Sequence, residues 1–157
     1  MLRISKLTDY ATVILAHLAE NGAGLRTAVD LAEVSRIGVP TVSKVLQDLQ
    51  RAGLVASTRG AHGGYALARP ASAISAADII DAVEGPVGLT ECSTHPGQCG
   101  IESSCRVGHS WQRVNLAIRL ALADITLTQL ASRDTTALLV PNLGGALGAR
   151  PSARVRA

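Results

Sequence analysis

The sequence predicts a mainly α-helical fold with one small β-hairpin, and three observations predict it. Apolar residues recur at steps of three and four in several stretches, as they do in helices that bury one face. Two short strand-like runs flank a glycine-rich turn. Hydrophobic residues make up 47% of the chain, yet with no Phe, two Tyr and one Trp the aromatic share is only 2%, and such small aliphatic side chains suit closely packed helices. At 157 residues the chain makes one domain of ordinary size, with room for an added arm or tail.

Taken in order, Thr8 is the expected cap of a first helix, with Asp9 in its first turn. Leu7, Tyr10, Ile14 and Leu18 form its apolar stripe, which stops at Gly22 and Gly24. Thr27 to Asp30 reads as a capping box with Asp in place of Glu, opening a short helix through Leu31, Ala32 and Val34 to a turn at Arg36, Ile37 and Gly38. Pro40 suits the first turn of the next helix, where its missing N–H costs nothing, and Val42, Val45, Leu46 and Leu49 keep helical spacing up to Gly53. The other face of that helix carries Thr41, Ser43, Lys44, Gln47, Asp48 and Arg51. Two short helices joined by a Gly-containing turn, the second displaying small polar and basic side chains, form the pattern of a helix-turn-helix.

Strands are expected at 54–58 and 65–68, joined by Arg59-Gly-Ala-His-Gly-Gly64. Alone, such a hairpin is a turn and nothing more. Directly after a helix-turn-helix it reads as a wing, with Arg59 and His62 as its only large tip residues and Gly63 allowing close approach to a nucleic-acid backbone. Ser75 to Asp78 caps a further helix through Ile79, Ile80 and Val83 that stops at Gly85-Pro86. Trp111 to Gln129 reads as a longer helix in which Trp111, Val114, Ile118, Ala121 and Ile125 alternate steps of three and four, a heptad-like stripe suited to a dimer seam. The expected divisions are a winged helix-turn-helix domain at 1–84, a cysteine-rich loop at 85–110, a dimerisation helix at 111–130, and a disordered tail rich in Thr, Gly, Ala, Pro and Arg at 131–157.

All three cysteines, Cys92, Cys99 and Cys105, fall in that loop, with His95 and His109 beside them. A Gly/Ser-rich acidic segment offers no core in which to bury thiols, so a metal site is the better reading than three buried hydrophobes. Acidic neighbours raise thiol pKa in the absence of a metal, which disfavours a simple thiolate switch. The N-terminus lacks a long apolar run and a small-residue cleavage site, so we expect neither signal peptide nor membrane span, and a reducing cytoplasm.

The formal net charge is +3, and all of that excess lies beyond Leu130. Local charge is more telling. From Arg36 to Arg69 there are five bases and one acid, whereas from Asp78 to Glu102 there are five acids and no base. The first region suits an anionic polymer and the second does not. No Ser/His/Asp set, phosphate loop or paired carboxylates form a readable catalytic constellation, so no enzyme is expected.

KLTDYA in the first helix, VPTVSKVLQDLQRAGLV through the recognition helix, RGAHGGYALAR in the wing, and EGPVGLTEC followed by two more cysteines and a Trp together resemble the Rrf-type winged-helix regulators. That family includes the iron-sulfur-sensing repressors of the ISC and SUF assembly operons and the nitric-oxide-sensing repressor, and the likeness is greatest to the SUF-system regulator. It spans about residues 1–130. The resemblance implies a homodimer on a near-palindromic double-stranded DNA operator, its two recognition helices roughly 34 Å apart. It also implies an iron-sulfur cluster, 2Fe-2S or 4Fe-4S, on Cys92, Cys99 and Cys105. By position, Thr41, Ser43, Lys44 and Gln47 make base-edge and phosphate contacts, and Arg59, with His62 and Gly63, serves the wing.

For the fourth ligand the resemblance favours Asp9, which matches the aspartate that the nitric-oxide-sensing branch contributes from the first helix of the other protomer. His109 is the alternative, although alignment on Trp111 puts Gly108 where one branch has its histidine, and His95 stands third. The Cys92 to Cys99 spacing is one residue longer than in the best-known relatives. Two rival readings are a zinc-stabilised constitutive winged-helix regulator and an iron-sulfur carrier or scaffold protein.

Overall fold

A helix starts where a side chain or a fixed backbone angle relieves its first unpaired N–H groups, and five starts among the described residues follow that rule. The computed structural model describes residues 3–132 except 23, 61, 91, 92, 94–96, 98, 102 and 103. Helix α1 spans Lys6–Glu20, α2 Ala28–Ser35, α3 Val39–Arg51 and α4 Ala76–Val83. Thr27 with Asp30 and Ser75 with Asp78 form complete capping boxes, as expected from the sequence. Helix α3 opens on Pro40 with no side-chain cap at Gly38.

The cap of α1 is a correction. Ser5, not Thr8, is the cap, and its hydroxyl accepts from the Thr8 N–H at 3.3 Å. Thr8 sits one turn further in, buried at 2% exposure, and its own hydroxyl donates instead to Glu84.

Strands β1 (Val55–Thr58) and β2 (Gly64–Leu67) form a two-stranded antiparallel sheet that pairs Val55 with Leu67 and Thr58 with Gly64. The outer edge of β2 is partly covered, because Arg26 and Tyr65 exchange backbone hydrogen bonds at 3.0 and 2.8 Å. Gly64 permits that approach: a Cβ there would lie 2.9 Å from the Arg26 carbonyl oxygen. After a short 3-10 turn at Ala71–Ala73 the chain enters α4.

Beyond the cysteine loop, the expected single helix from Trp111 to Gln129 is two helices. Helix α5 spans Gly108–Asp124 and α6 spans Leu127–Ala131. Ile125 is extended, and Thr126 caps α6 in a third capping box with Gln129. Ile125 therefore closes no heptad. Its carbonyl instead accepts from Ala76 N–H at 2.8 Å, and Leu127 N–H donates to Ile74 at 2.7 Å, so α6 is stitched to the start of α4. Leu127 is fully buried against α1.

The core gathers Ile14, Leu15 and Leu18 from α1, Leu31 from α2, Val42, Val45, Leu46 and Leu49 from α3, and Leu54, Ile74, Ile79 and Leu127. Helix α3 is thus held by one face while its other face looks outward. Helix α5 contributes no buried residue. It meets α4 through the Arg119–Asp81 fork, at 3.1 and 2.5 Å, and Asn115 accepts from Leu89 N–H at 3.3 Å. Ala131, the first residue of the tail expected at 131–157, belongs to α6, and the tail beyond residue 132 lies outside the described residues.

Candidate nucleic-acid interface and cysteine loop

The polar face of α3 carries Thr41 and Ser43, half-buried, and Lys44 and Gln47, exposed. Between them Asp48 organises the cations: Lys44 lies 3.1 Å from its carboxylate and Arg51 3.3 Å. Both cations keep most of their surface in solvent, at 61% and 75% exposure, while Asp48 is at 12%. An exposed pair of this kind contributes about 0–1 kcal/mol, so either cation can exchange the carboxylate for a phosphate at small cost. Behind the face, Gln50 donates to Ser57 at 2.9 Å and ties α3 to the wing.

At the wing tip Arg59 and His62 are exposed. The tip is tight: Gly63 N–H donates to Gly60 at 2.9 Å, and a Cβ on Gly63 would fall 2.3 Å from the Thr58 carbonyl oxygen. Gly63 is thus required by the turn itself, before any ligand is considered. Arg69, at the other end of β2, pairs with Asp78 at 3.1 Å. Burial pulls Asp78 upward, but the Ser75 backbone and hydroxyl and the Arg69 guanidinium outweigh it and hold the carboxyl below its ordinary range.

The cysteine loop is bracketed by α4 and α5. Cys99 and Cys105 carry free, half-buried thiols. Cys105 lies against the first residue of α5, where a Cβ on Gly108 would sit 3.7 Å from its Sγ. Cys92 and His95 lie outside the described residues. His109 is exposed in the first turn of α5. Asp9 is exposed in the first turn of α1 and lines an open cleft with Arg3, Ile4, Ser5 and Lys6. Among the described residues no three of His, Cys, Asp and Glu are gathered as a metal site, so within one chain neither Asp9 nor His109 joins Cys99 and Cys105 in such a group.

Sequence reasoning missed Glu84. Its carboxylate accepts from Ser5 N–H at 2.9 Å and from the Thr8 hydroxyl, and these bonds, Thr8 first, hold its pKa below the ordinary value. The partners are more than seventy residues apart, so no local pattern announces them.

A helix-turn-helix with its second helix facing solvent, joined to an antiparallel wing, defines a winged-helix DNA-binding transcriptional regulator. The chain belongs to the Rrf2 family: the model of that family, described as an iron-dependent transcriptional regulator, matches residues 4–133. Members are DNA-binding regulators and not enzymes. The chain is 34% identical over 122 residues to protein aau3 of Rhizobium meliloti strain 1021, covering 77% of this chain and 75% of that protein. It is similar to the structure of CymR, the global cysteine regulator of B. subtilis, with 32% identity and a TM-score of 0.64 over 83% of this chain and 97% of CymR. It is also similar to IscR of T. potens, with 30% identity and a TM-score of 0.59 over 82% of this chain and 85% of IscR. No helix among the described residues is long and apolar enough to cross a membrane.

Proposed function

We propose that this transcriptional regulator senses an iron-sulfur cluster and, as a cytoplasmic homodimer, represses cluster-assembly or stress genes from a near-palindromic operator. The observation that carries the reading is the placement of the cysteine loop. Two free thiols stand at its C-terminal half, Cys105 against the start of α5, in a loop rooted on the body that also carries the reading helix. The donor set fits the group. Soft thiolates suit an iron-sulfur cluster, and Cys92 supplies the third. Asp9 of a second copy is the fourth ligand in this reading, with His109 as the alternative. When bound, the cluster supplies a redox- and iron-responsive cross-link among these ligands.

Dimerisation is supported by what α5 leaves uncovered. Trp111 and Val114 are both 44% exposed, and Leu116 and Leu120, one turn apart on the opposite side from Ile118, are 55% and 52% exposed. A helix that is apolar on several sides and lies on the surface of its own chain calls for a second covering layer, and a two-fold copy provides it. Two recognition helices then present Thr41, Ser43 and Gln47 to base edges and Lys44 to phosphate, while Arg59, His62 and Gly63 bring each wing to the backbone or minor groove.

The test is anaerobic purification followed by measurement of iron, sulfide and visible absorbance, with operator binding compared before and after cluster removal. Matching iron and sulfide with a change in affinity supports the reading; a colourless protein holding stoichiometric zinc overturns it. The likeness to CymR favours a second reading, a cluster-free regulator answering to cysteine supply. Iron and sulfide content separates the two.

A further inference from the structure

The last turn of α4 holds two long-range anchors one turn apart. Asp81 forks onto Arg119 of α5, and Glu84 accepts from the backbone of Ser5 and the hydroxyl of Thr8 at the start of α1. Thr8 is the one polar side chain in the buried set among the described residues, so this bond is formed away from solvent on one side. Immediately after Glu84, Gly85 turns the chain into the cysteine loop with φ of 86°. The bonded turn of α1 is the turn that carries Asp9. Helix α1 in turn packs directly on α3.

We propose that Glu84 is a positioning residue that couples the cysteine loop to the DNA-reading helix, by locking the first turn of α1 to the root of the loop. A displacement of that root is carried through the carboxylate to Ser5 and Thr8, and through the rigid packing of α1 to α3. Without the lock the loop and the reading head still exist, but each ignores the other. The inference rests on the cluster-sensing reading above.

The experiment measures operator affinity by fluorescence anisotropy for full-length protein with cluster loaded and removed, in wild type, Glu84→Ala, Glu84→Gln and Thr8→Val. Iron and sulfide content and thermal unfolding are recorded beside it. In wild type the loaded and cluster-free affinities differ by about fivefold or more. Glu84→Ala and Thr8→Val bring that ratio toward one while holding wild-type iron and sulfide. Glu84→Gln keeps most of it, because the amide oxygen still accepts from both donors. A merely structural role would lower the unfolding temperature and leave the ratio alone, and that outcome overturns the inference while sparing the sensing reading. If wild type itself shows a ratio of one, the sensing reading fails and this inference falls with it. Should Glu84→Ala not fold, the near-isosteric Thr8→Val decides by the same ratio.

Discussion

Replacing Lys44 with Ala should weaken operator binding in a way that salt reveals. In the free protein Lys44 is 61% exposed and its partner Asp48 keeps Arg51 at 3.3 Å, so the substitution orphans no charge. The stability change should stay within about 0.5 kcal/mol, the range of ordinary surface replacements. On DNA, a lysine that neutralises one phosphate contributes about 0.9 to the slope of log affinity against log salt. Because a homodimer loses it from both recognition helices, the slope should fall by about 1.8, and the ratio of wild-type to variant affinity should change about 12-fold between roughly 50 and 200 mM salt, the wild type gaining its advantage at the low end. Anisotropy titrations of a labelled operator across that range, with thermal melts alongside, measure both quantities. Equal slopes for the two proteins would refute the placement of Lys44 on the phosphates, whatever the affinity at a single salt concentration.

Other outcomes follow from the packing. Gly64→Ala forces a Cβ to within 2.9 Å of the Arg26 carbonyl oxygen and should cost about 1–3 kcal/mol in urea denaturation by parting Arg26 from Tyr65. Leu127→Ala empties a fully buried position under α1 and should cost about 2–5 kcal/mol, read from the same curves. Leu120→Glu places a charge on the uncovered side of α5 and should shift the protein toward monomer in analytical ultracentrifugation without lowering its helical circular dichroism. The folded pKa of Glu84 is depressed, so its contribution to stability is fully present above the ordinary value of 4.5 and is lost as pH falls through the depressed folded value. Glu84→Gln should flatten that acid limb, and an unchanged limb would show that the carboxylate contributes nothing to it.

Much of this architecture is legible because the chemistry is local. Thr27 with Asp30 and Ser75 with Asp78 announce two helix starts by their spacing alone, and the apolar spacing of Val42, Val45, Leu46 and Leu49 fixes which face of α3 is buried. The break after Asp124 was written just as locally, in Thr126 and Gln129, but the heptad-like stripe ran across it and obscured it. Ser5 displaces Thr8 as the cap for a reason no window of sequence contains, since the competing partner, Glu84, arrives from the far end of α4. The cysteine site divides in the same way. The expectation of metal chemistry rests on three thiols in one loop, whereas the fourth ligand of the proposed site depends on which side chains the fold and a second copy bring near, and neither is a property of spacing.

The two roots of the cysteine loop are fixed by the body: Glu84 to α1 at one end, Arg119 and Asn115 of α5 to α4 and the loop's first strand of backbone at the other. The entropy of bringing those ends together is therefore settled when the winged helix folds, independent of anything the loop later holds. A ligand seated there need order only the interior of a closed arc. Closure entropy grows so slowly with length that the additional residue between Cys92 and Cys99 adds well under about 0.1 kcal/mol, leaving loop length free to vary while the roots stay in register.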